Sequence, residues 1–233
     1  MDLNGTRVLI TGGSSGIGRA TAAGLIRAGC KVSINGRDPE RLETAGRELD
    51  CDVIRGDVGQ EAEAKSIVES FVARHGGIDV LINNAGFGTF APLLETELAD
   101  VEAVFRTNVF GAFVMAREVA RHLVAQRSGT IVNIASTAAT KGFSGGTAYA
   151  ASKFALRGMN ECWREELRRH DVRVILINPS EVITDFAKRA GYPQKANDKK
   201  LLPEDIAHAI VGALQAEPRA FTPELAVFAT NPF

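Results

Sequence analysis

Thr11-Gly12-Gly13-Ser14-Ser15-Gly16-Ile17-Gly18 is the stretch on which the reading of this chain turns. Arg7-Val8-Leu9-Ile10 precedes it, an aliphatic run with the look of a buried strand. Residues 19–29 follow, Ala-rich and ending on Gly29, which is placed to cap a helix C-terminus. In a strand–glycine turn–helix unit, the glycines let the backbone turn tightly and come close to a pyrophosphate. The helix N-terminus adds free N–H groups and the positive end of its dipole. A glycine-rich turn alone is a common loop. At the first strand-to-helix junction of a chain, it points to dinucleotide binding by Gly12, Ser14, Ser15, Gly16, Ile17 and Gly18.

Working outward, aliphatic runs at 31–35, 52–56, 78–82, 130–134 and 172–177 read as further strands, and 224–229 as a seventh at the sheet edge. Helical patterns fall between them. Asp38-Pro39 makes a good N-cap and first-helical-position pair, and Gly76-Gly77 breaks the helix before the fourth strand. Val101, Val104, Phe105, Phe113, Val114, Val119 and Leu123 lie along one long helix. Strands that do not alternate in polarity, separated by helices, predict an α/β fold. It is doubly wound in three layers, around a mostly parallel seven-stranded sheet. With no linker, repeat or low-complexity tract, residues 1–233 read as one domain.

The bulk properties narrow the function. A net charge of −1 argues against a nucleic-acid partner or a membrane-surface partner, which draw a basic bias. Cys30, Cys51 and Cys162 are scattered and odd in number, which suits buried thiols in a reducing compartment rather than a disulfide frame or a metal site. No apolar run reaches membrane-spanning length and no secretory leader is apparent. The expectation is a soluble, cytoplasmic protein without a metal.

Ligands of such sheets bind beyond the carboxyl ends of the strands, near the point where strand order reverses. Residues 12–18, Gly36-Arg37, Asp57-Val58, residues 83–86, Ser136 and residues 179–184 all follow strand ends, so several polar or small motifs share one rim. Tyr149 and Lys153 are four apart on a helix and so share a face. A neighbouring ammonium favours a phenolate, which would make Tyr149 a usable acid or base. Ser136 is placed to hydrogen-bond a carbonyl oxygen near the Tyr149 hydroxyl, and Asn108 to fix a water beside Lys153. Each also has a plain structural reading: helix-face packing, a solvated lysine, a turn, a kink.

Taken together in this order, TGxxxGIG at 11–18, Asp57-Val58, NNAG at 83–86, Asn108 in NVFG, Ser136 and YxxxK at 149–153 resemble the short-chain dehydrogenase/reductase family, of the single-domain Rossmann type. In size and layout the chain is similar to its 3-oxoacyl-thioester reductases. The resemblance spans essentially the whole chain. It implies reversible hydride transfer between a nicotinamide and a carbonyl or alcohol. Tyr149 would be the acid/base, Ser136 the substrate orienter, Lys153 the binder of the nicotinamide ribose, and Asn108 the proton-relay residue. Asp57 and Val58 would meet the adenine, and Asn84, Ala85 and Gly86 would brace the cofactor. Pro179, Val182 and Thr184 would line the nicotinamide. One departure is Pro179-Ser180-Glu181-Val182-Ile183-Thr184, with Ser180 where the family has glycine. Residues 184–202 would form a short lid, here rich in Lys188, Arg189, Lys195, Lys199 and Lys200 against Asp185 and Asp198.

Gly36 stands where an NAD enzyme places a carboxylate against the ribose 2′-OH, and Arg37 follows with a guanidinium suited to a 2′-phosphate. Asp38 is then the helix cap, so NADP is favoured and NAD remains possible. The leading reading is an NADP-dependent reductase of ketones or carrier-bound acyl thioesters. An NAD-dependent alcohol or polyol dehydrogenase and a non-catalytic nucleotide sensor are the alternatives. The helix of Tyr149 also carries Leu156, Met159, Trp163 and Leu167, more apolar surface than one catalytic face needs. That predicts a homo-oligomer, a tetramer by resemblance or else a dimer. Phe87, Phe90, Ala138, Lys141 and Phe143 are candidate pocket-lining positions. Glu181 faces either the pocket edge, where it would disfavour carboxylate substrates, or solvent.

Overall fold

Val8, Leu9 and Ile10 are wholly buried, and alternation sends Val8 and Ile10 to one face of the sheet and Leu9 to the other. β1 (Arg7–Ile10) is therefore a central strand covered on both sides. The computed structural model describes residues 2–191, 199–217 and 219–231, so the predicted lid residues Lys195 and Asp198 lie outside the described residues. The seven strands form one sheet in the order β3-β2-β1-β4-β5-β6-β7, every pair parallel. They are β2 (Lys31–Gly36), β3 (Asp52–Arg55), β4 (Val80–Asn83), β5 (Gly129–Ile134), β6 (Val172–Pro179) and β7 (Glu224–Val227). The expected mostly parallel sheet is thus parallel throughout. Strand order reverses between β1 and β4, which puts the loops after these two strands at the switch point.

Helices cover both faces. α1 (Gly16–Arg27), α2 (Pro39–Leu49) and α8 (Pro203–Leu214) pack over Val8, Ile10, Ile34, Ile175 and Ile177. α3 (Glu61–His75), α5 (Ala112–Gln126) and α6 (Thr147–Leu167) cover Leu9, Leu81, Ile131 and Val174. α4 (Leu98–Phe105) and the short α7 (Asp185–Arg189) sit at the rim. Local signals act as read. Asp38 accepts the Arg41 N–H at 3.1 Å with Pro39 in the first turn of α2, and Gly29 closes α1 in the left-handed region at φ +84°.

Two readings change. The long helix through Asn108 is α4 and α5 joined by a π turn over Arg106–Gly111. Gly111 lies against Val58 there, where an added Cβ would stand 2.9 Å from the Val58 carbonyl oxygen. The apolar residues of α6 also turn inward. Leu156 is buried, and Met159, Trp163 and Leu167 pack against the core beside β6 and α5. Leu156 is core, and the other three are half-buried along its margin. The exposed apolar side chains of this region are Phe110, Phe113 and Phe154.

Candidate active site

The glycine-rich loop leaves β1 and crosses the rim under tight constraint. Gly12 takes φ +63° and Gly16 φ +52°, conformations that cost a side-chain-bearing residue about 1 kcal/mol or more. A Cβ on Gly18 would stand 2.4 Å from the Asn84 amide nitrogen. The loop is held by its neighbour: the Asn84 amide donates to the Thr11 and Gly12 carbonyls at 2.9 and 3.0 Å, and the Thr11 hydroxyl accepts from the Asn84 and Ala85 N–H groups at 3.0 Å. Asn84 therefore braces the loop. Ser15 begins α1 without giving it a side-chain cap, and across the loop Thr184 stands 3.3 Å from a Cβ built on Gly16. An uncapped helix start behind a side-chain-free cradle fits a pyrophosphate.

At the second strand end, Arg37 pairs with Asp57 at 3.4 Å, an exposed contact of little energetic weight. Asp57 also accepts the Gly59 N–H at 2.9 Å. Ser14, Arg19, Arg41 and Thr44 line a cavity of about 300 Å3 beside this loop. Arg41 is a second cation that a search of the glycine loop alone misses. Its signal was its place in the first turn of the helix after β2. Ile17, Val58, Ala85 and Val182 spend their side chains on the core, so backbone is what they offer a ligand.

The chemical groups gather beyond β4, β5 and β6. Ser136 starts the 3-10 turn Thr137–Ala139, and its hydroxyl accepts the Ala138 N–H at 3.1 Å. Lys153 is 5% exposed, and its ammonium donates to the Ile134 carbonyl at 2.9 Å and lies 5.6 Å from the Tyr149 ring centroid. Burial lowers its pKa from 10.5 to about 8. Burial raises that of Tyr149 above 10, against a smaller lowering by the Ser136 hydroxyl. The expectation that Lys153 lowers the Tyr149 pKa is not met. The ammonium faces the ring and the Ile134 carbonyl, and desolvation of the phenol dominates.

Asn108 is buried in the π turn, and its amide is fully engaged. Its Oδ1 accepts the Phe87 N–H at 3.0 Å, and its Nδ2 donates to the Phe87 carbonyl at 2.9 Å and the Ser152 hydroxyl at 3.0 Å. Ser152 in turn donates to the Tyr149 carbonyl at 2.7 Å. Asn108 thus ties the loop after β4 to the helix of Tyr149. Ser152 went unread, though at i+3 from Tyr149 it shares that helix face. A Cβ on Gly86 would stand 3.1 Å from Asn108 Oδ1 and 3.7 Å from Lys153 Nζ, so the three converge.

The 179–184 segment tolerates its departure. Ser180 is absent from the positive-φ residues, and its N–H donates to the Val227 carbonyl at 2.9 Å, so glycine's freedom is not needed. Thr184 accepts the Phe186 N–H at 3.2 Å, and Val182 bridges to Leu201. Glu181 is exposed and accepts from Lys200 at 2.7 Å. A cleft of about 740 Å3 opens at the other end of the sheet beside the starts of β2 and β3. Arg74 pairs with Asp52 within it at 3.1 Å, and it holds none of the rim residues.

A doubly wound parallel sheet with a pyrophosphate cradle at its switch point and a serine, a tyrosine and a buried lysine beside it defines a nucleotide-binding oxidoreductase. The family model for short chain dehydrogenase matches residues 6–195. The chain is 33% identical over 225 residues to the 3-oxoacyl-[acyl-carrier-protein] reductase of Thermotoga maritima, covering 91% of each. The 3-ketoacyl-(acyl-carrier-protein) reductase of Brucella melitensis, solved with NADH, superposes with a TM-score of 0.91 at 27% identity over 98% of both chains. A serine dehydrogenase solved with NADP+ gives 0.87 at 30% identity, over 94% of this chain and 93% of that one. The chain belongs to the short-chain dehydrogenase family, and it is an oxidoreductase acting between CH–OH and C=O. Among the described residues no helix is long and apolar enough to cross a membrane, and none of the acidic, histidine and cysteine side chains group to hold a metal.

Proposed function

We propose that this chain is an NADP(H)-dependent carbonyl reductase acting on a small-molecule ketone. One observation supports the reading: the Tyr149 hydroxyl meets the Ser136 hydroxyl, with the buried Lys153 ammonium 5.6 Å from its ring centroid. Gly12, Ser14, Ser15, Gly16, Ile17 and Gly18 hold the pyrophosphate, and Asp57 and Val58 the adenine side. Asn84, Ala85, Gly86, Pro179, Val182 and Thr184 frame the nicotinamide end. The cofactor supplies the hydride when bound. The Ser136 hydroxyl orients the carbonyl oxygen, and the Tyr149 hydroxyl donates the proton to it. Lys153 holds the nicotinamide ribose, and Asn108, the proton-relay residue, also ties the loop after β4 to the helix of Tyr149 through Phe87 and Ser152. Tyr149, held above its ordinary pKa, is protonated at neutral pH, as a proton donor must be.

The preference for NADP rests on the absence of a carboxylate at Gly36, on Asp38 being spent as the α2 cap, and on Arg37 with Arg41 nearby. Residues 184–202 serve as the lid. Exposed Phe110, Phe113 and Phe154, on elements that pack side by side, support self-association into a dimer or tetramer. The test is NADPH consumption with a panel of ketones, diketones and acyl thioesters, each repeated with Tyr149→Phe. Turnover that the variant abolishes supports the reading. Cofactor binding without turnover of any carbonyl overturns it.

A further inference from the structure

Beyond the proton donor, the rim over Tyr149 is built of rings. Phe90 in the loop after β4 is the hub, with centroids 5.8 Å from Phe143, 5.7 Å from Tyr149 and 6.3 Å from Phe186. Phe186 at the start of α7 closes the cluster at 5.4 Å from Tyr149. The contacts are edge-on or tilted, the arrangement aromatic quadrupoles prefer. Three loop segments, after β4, β5 and β6, thus each contribute one phenylalanine to the cluster, Phe90 and Phe186 directly against Tyr149 and Phe143 through Phe90.

The backbone is cut to admit these rings. A Cβ on Gly88 would stand 3.0 Å from Tyr149 Cδ2, 3.1 Å from Phe186 Cζ and 3.1 Å from Phe90 Cζ. A Cβ on Gly146 would stand 2.6–2.8 Å from three atoms of the Phe143 ring. The Ala91 N–H donates to the Gly145 carbonyl at 3.0 Å, which ties the Phe90 loop to the Phe143 loop. Phe143 is 51% exposed, and Phe90 and Phe186 are half-buried. Asp185, the neighbour of Phe186 at the start of α7, is exposed, and Glu181 pairs with Lys200 at 2.7 Å.

On the carbonyl-reductase reading above, we propose that Phe90, Phe143 and Phe186 are specificity-determining residues, and that the substrate carries an uncharged flat ring directly beside its carbonyl, as in an aryl ketone. A short wall of three rings grips a rigid planar group next to the reacting carbon. A flexible acyl chain would give up rotamer freedom to lie there and gain dispersion contact without the aromatic-pair contribution.

The test compares acetophenone with 2-octanone, which match in carbon number, in the wild type and in Phe186→Leu, Phe143→Leu and Phe186→Tyr. The wild type should favour the aryl ketone in kcat/KM by about tenfold or more, from two to three ring contacts each worth roughly 2–10-fold. Phe186→Leu should cut that ratio about fivefold, Phe143→Leu should also lower it, and Phe186→Tyr should keep it. Phe143 is half exposed, so its variant folds even if one at Phe186 does not. A merely structural role for the rings would lower both substrates together and leave the ratio unmoved, and that result overturns the inference. So does a wild type that prefers 2-octanone. Turnover of neither ketone and of no other carbonyl overturns the reductase reading itself, and this inference with it. Turnover without ring preference overturns the inference alone.

Discussion

Replacing Lys153 with methionine should abolish turnover and stabilise the fold, and the second effect has a pH signature. At 5% exposure the ammonium is buried, and its pKa falls from 10.5 to about 8. That fall corresponds to about 3 kcal/mol against the charged form in the folded chain. At pH 7 the side chain is charged in both folded and unfolded states, so the cost is carried in full. Methionine keeps the length and removes the charge. It also leaves the Ile134 carbonyl without this donor, a loss of about 1–2 kcal/mol. The net gain is then about 1–2 kcal/mol, or about 2–8 °C in Tm for a chain of this size. The sign with pH follows from proton counting. Between about 8 and 10.5 the unfolded chain holds this proton and the folded chain does not, so wild-type stability rises with pH there. About 2 kcal/mol of the variant's relative advantage should therefore vanish between pH 7 and about pH 9.5. Denaturant unfolding of both proteins at the two pH values measures it, and other titrations cancel in the difference. A variant less stable at pH 7 by an amount that does not change with pH would refute the reasoning.

Four further outcomes are expected. Tyr149→Phe should bind NADPH as the wild type does and lose at least about 10²-fold in kcat, read by fluorescence titration beside steady-state rates. NADPH should exceed NADH in kcat/KM, with Arg37→Ala and Arg41→Ala each narrowing the gap by about tenfold; a wild-type preference for NADH sinks the cofactor assignment. Glu181→Gln should leave the kcat/KM ratio of matched 2-keto acid and 2-keto ester substrates unchanged, because the carboxylate is already committed to Lys200. Light scattering at micromolar concentration should return a dimer or tetramer mass, and Phe113→Glu should shift it toward monomer.

The sheet was legible because parallel strands buried on both faces read as unbroken aliphatic runs, as Val80-Leu81-Ile82 and Val174-Ile175-Leu176-Ile177 do. Their ends were less so. β6 runs on to Pro179 because Asn178 and Pro179 pair with Ala226 and Val227, which no local pattern announces. Spacing showed only that Tyr149 and Lys153 share a helix face and that Ser136 follows a strand; the resemblance supplied their roles, and the structure brings the three side chains together. What Asn108 does was not. Its poor helix propensity marked the spot, but the π turn depends on Phe87, which lies 21 residues away. Arg41 escaped for the same reason, since it reaches the loop of Ser14 only through the packing of α2. The α6 stripe shows the limit of periodicity. Leu156 and Trp163 have the spacing of an apolar face, and spacing does not say whether that face meets the sheet or another chain.

Burial acts on the two ionisable groups of the site in opposite senses, and this sets the expected pH dependence of each direction. The sequence reading has the Lys153 ammonium pull the Tyr149 phenol toward its anion. In the structure the ammonium lies 5.6 Å from the ring centroid and spends a hydrogen bond on Ile134, while desolvation lifts the phenol and depresses the amine. A phenol held protonated beside an amine still charged below about pH 8 is a donor waiting for an alkoxide, which is the need of carbonyl reduction. The reverse reaction requires the phenolate, which this environment makes scarce until the pH is well above neutral. Reduction should therefore hold through neutral pH and decline as Lys153 discharges above about 8, while alcohol oxidation climbs over that same range. Rates in both directions measured from pH 6 to about pH 10 check this. An oxidation rate that is already maximal and flat at pH 7 would mean that Tyr149 ionises far below the position its burial dictates.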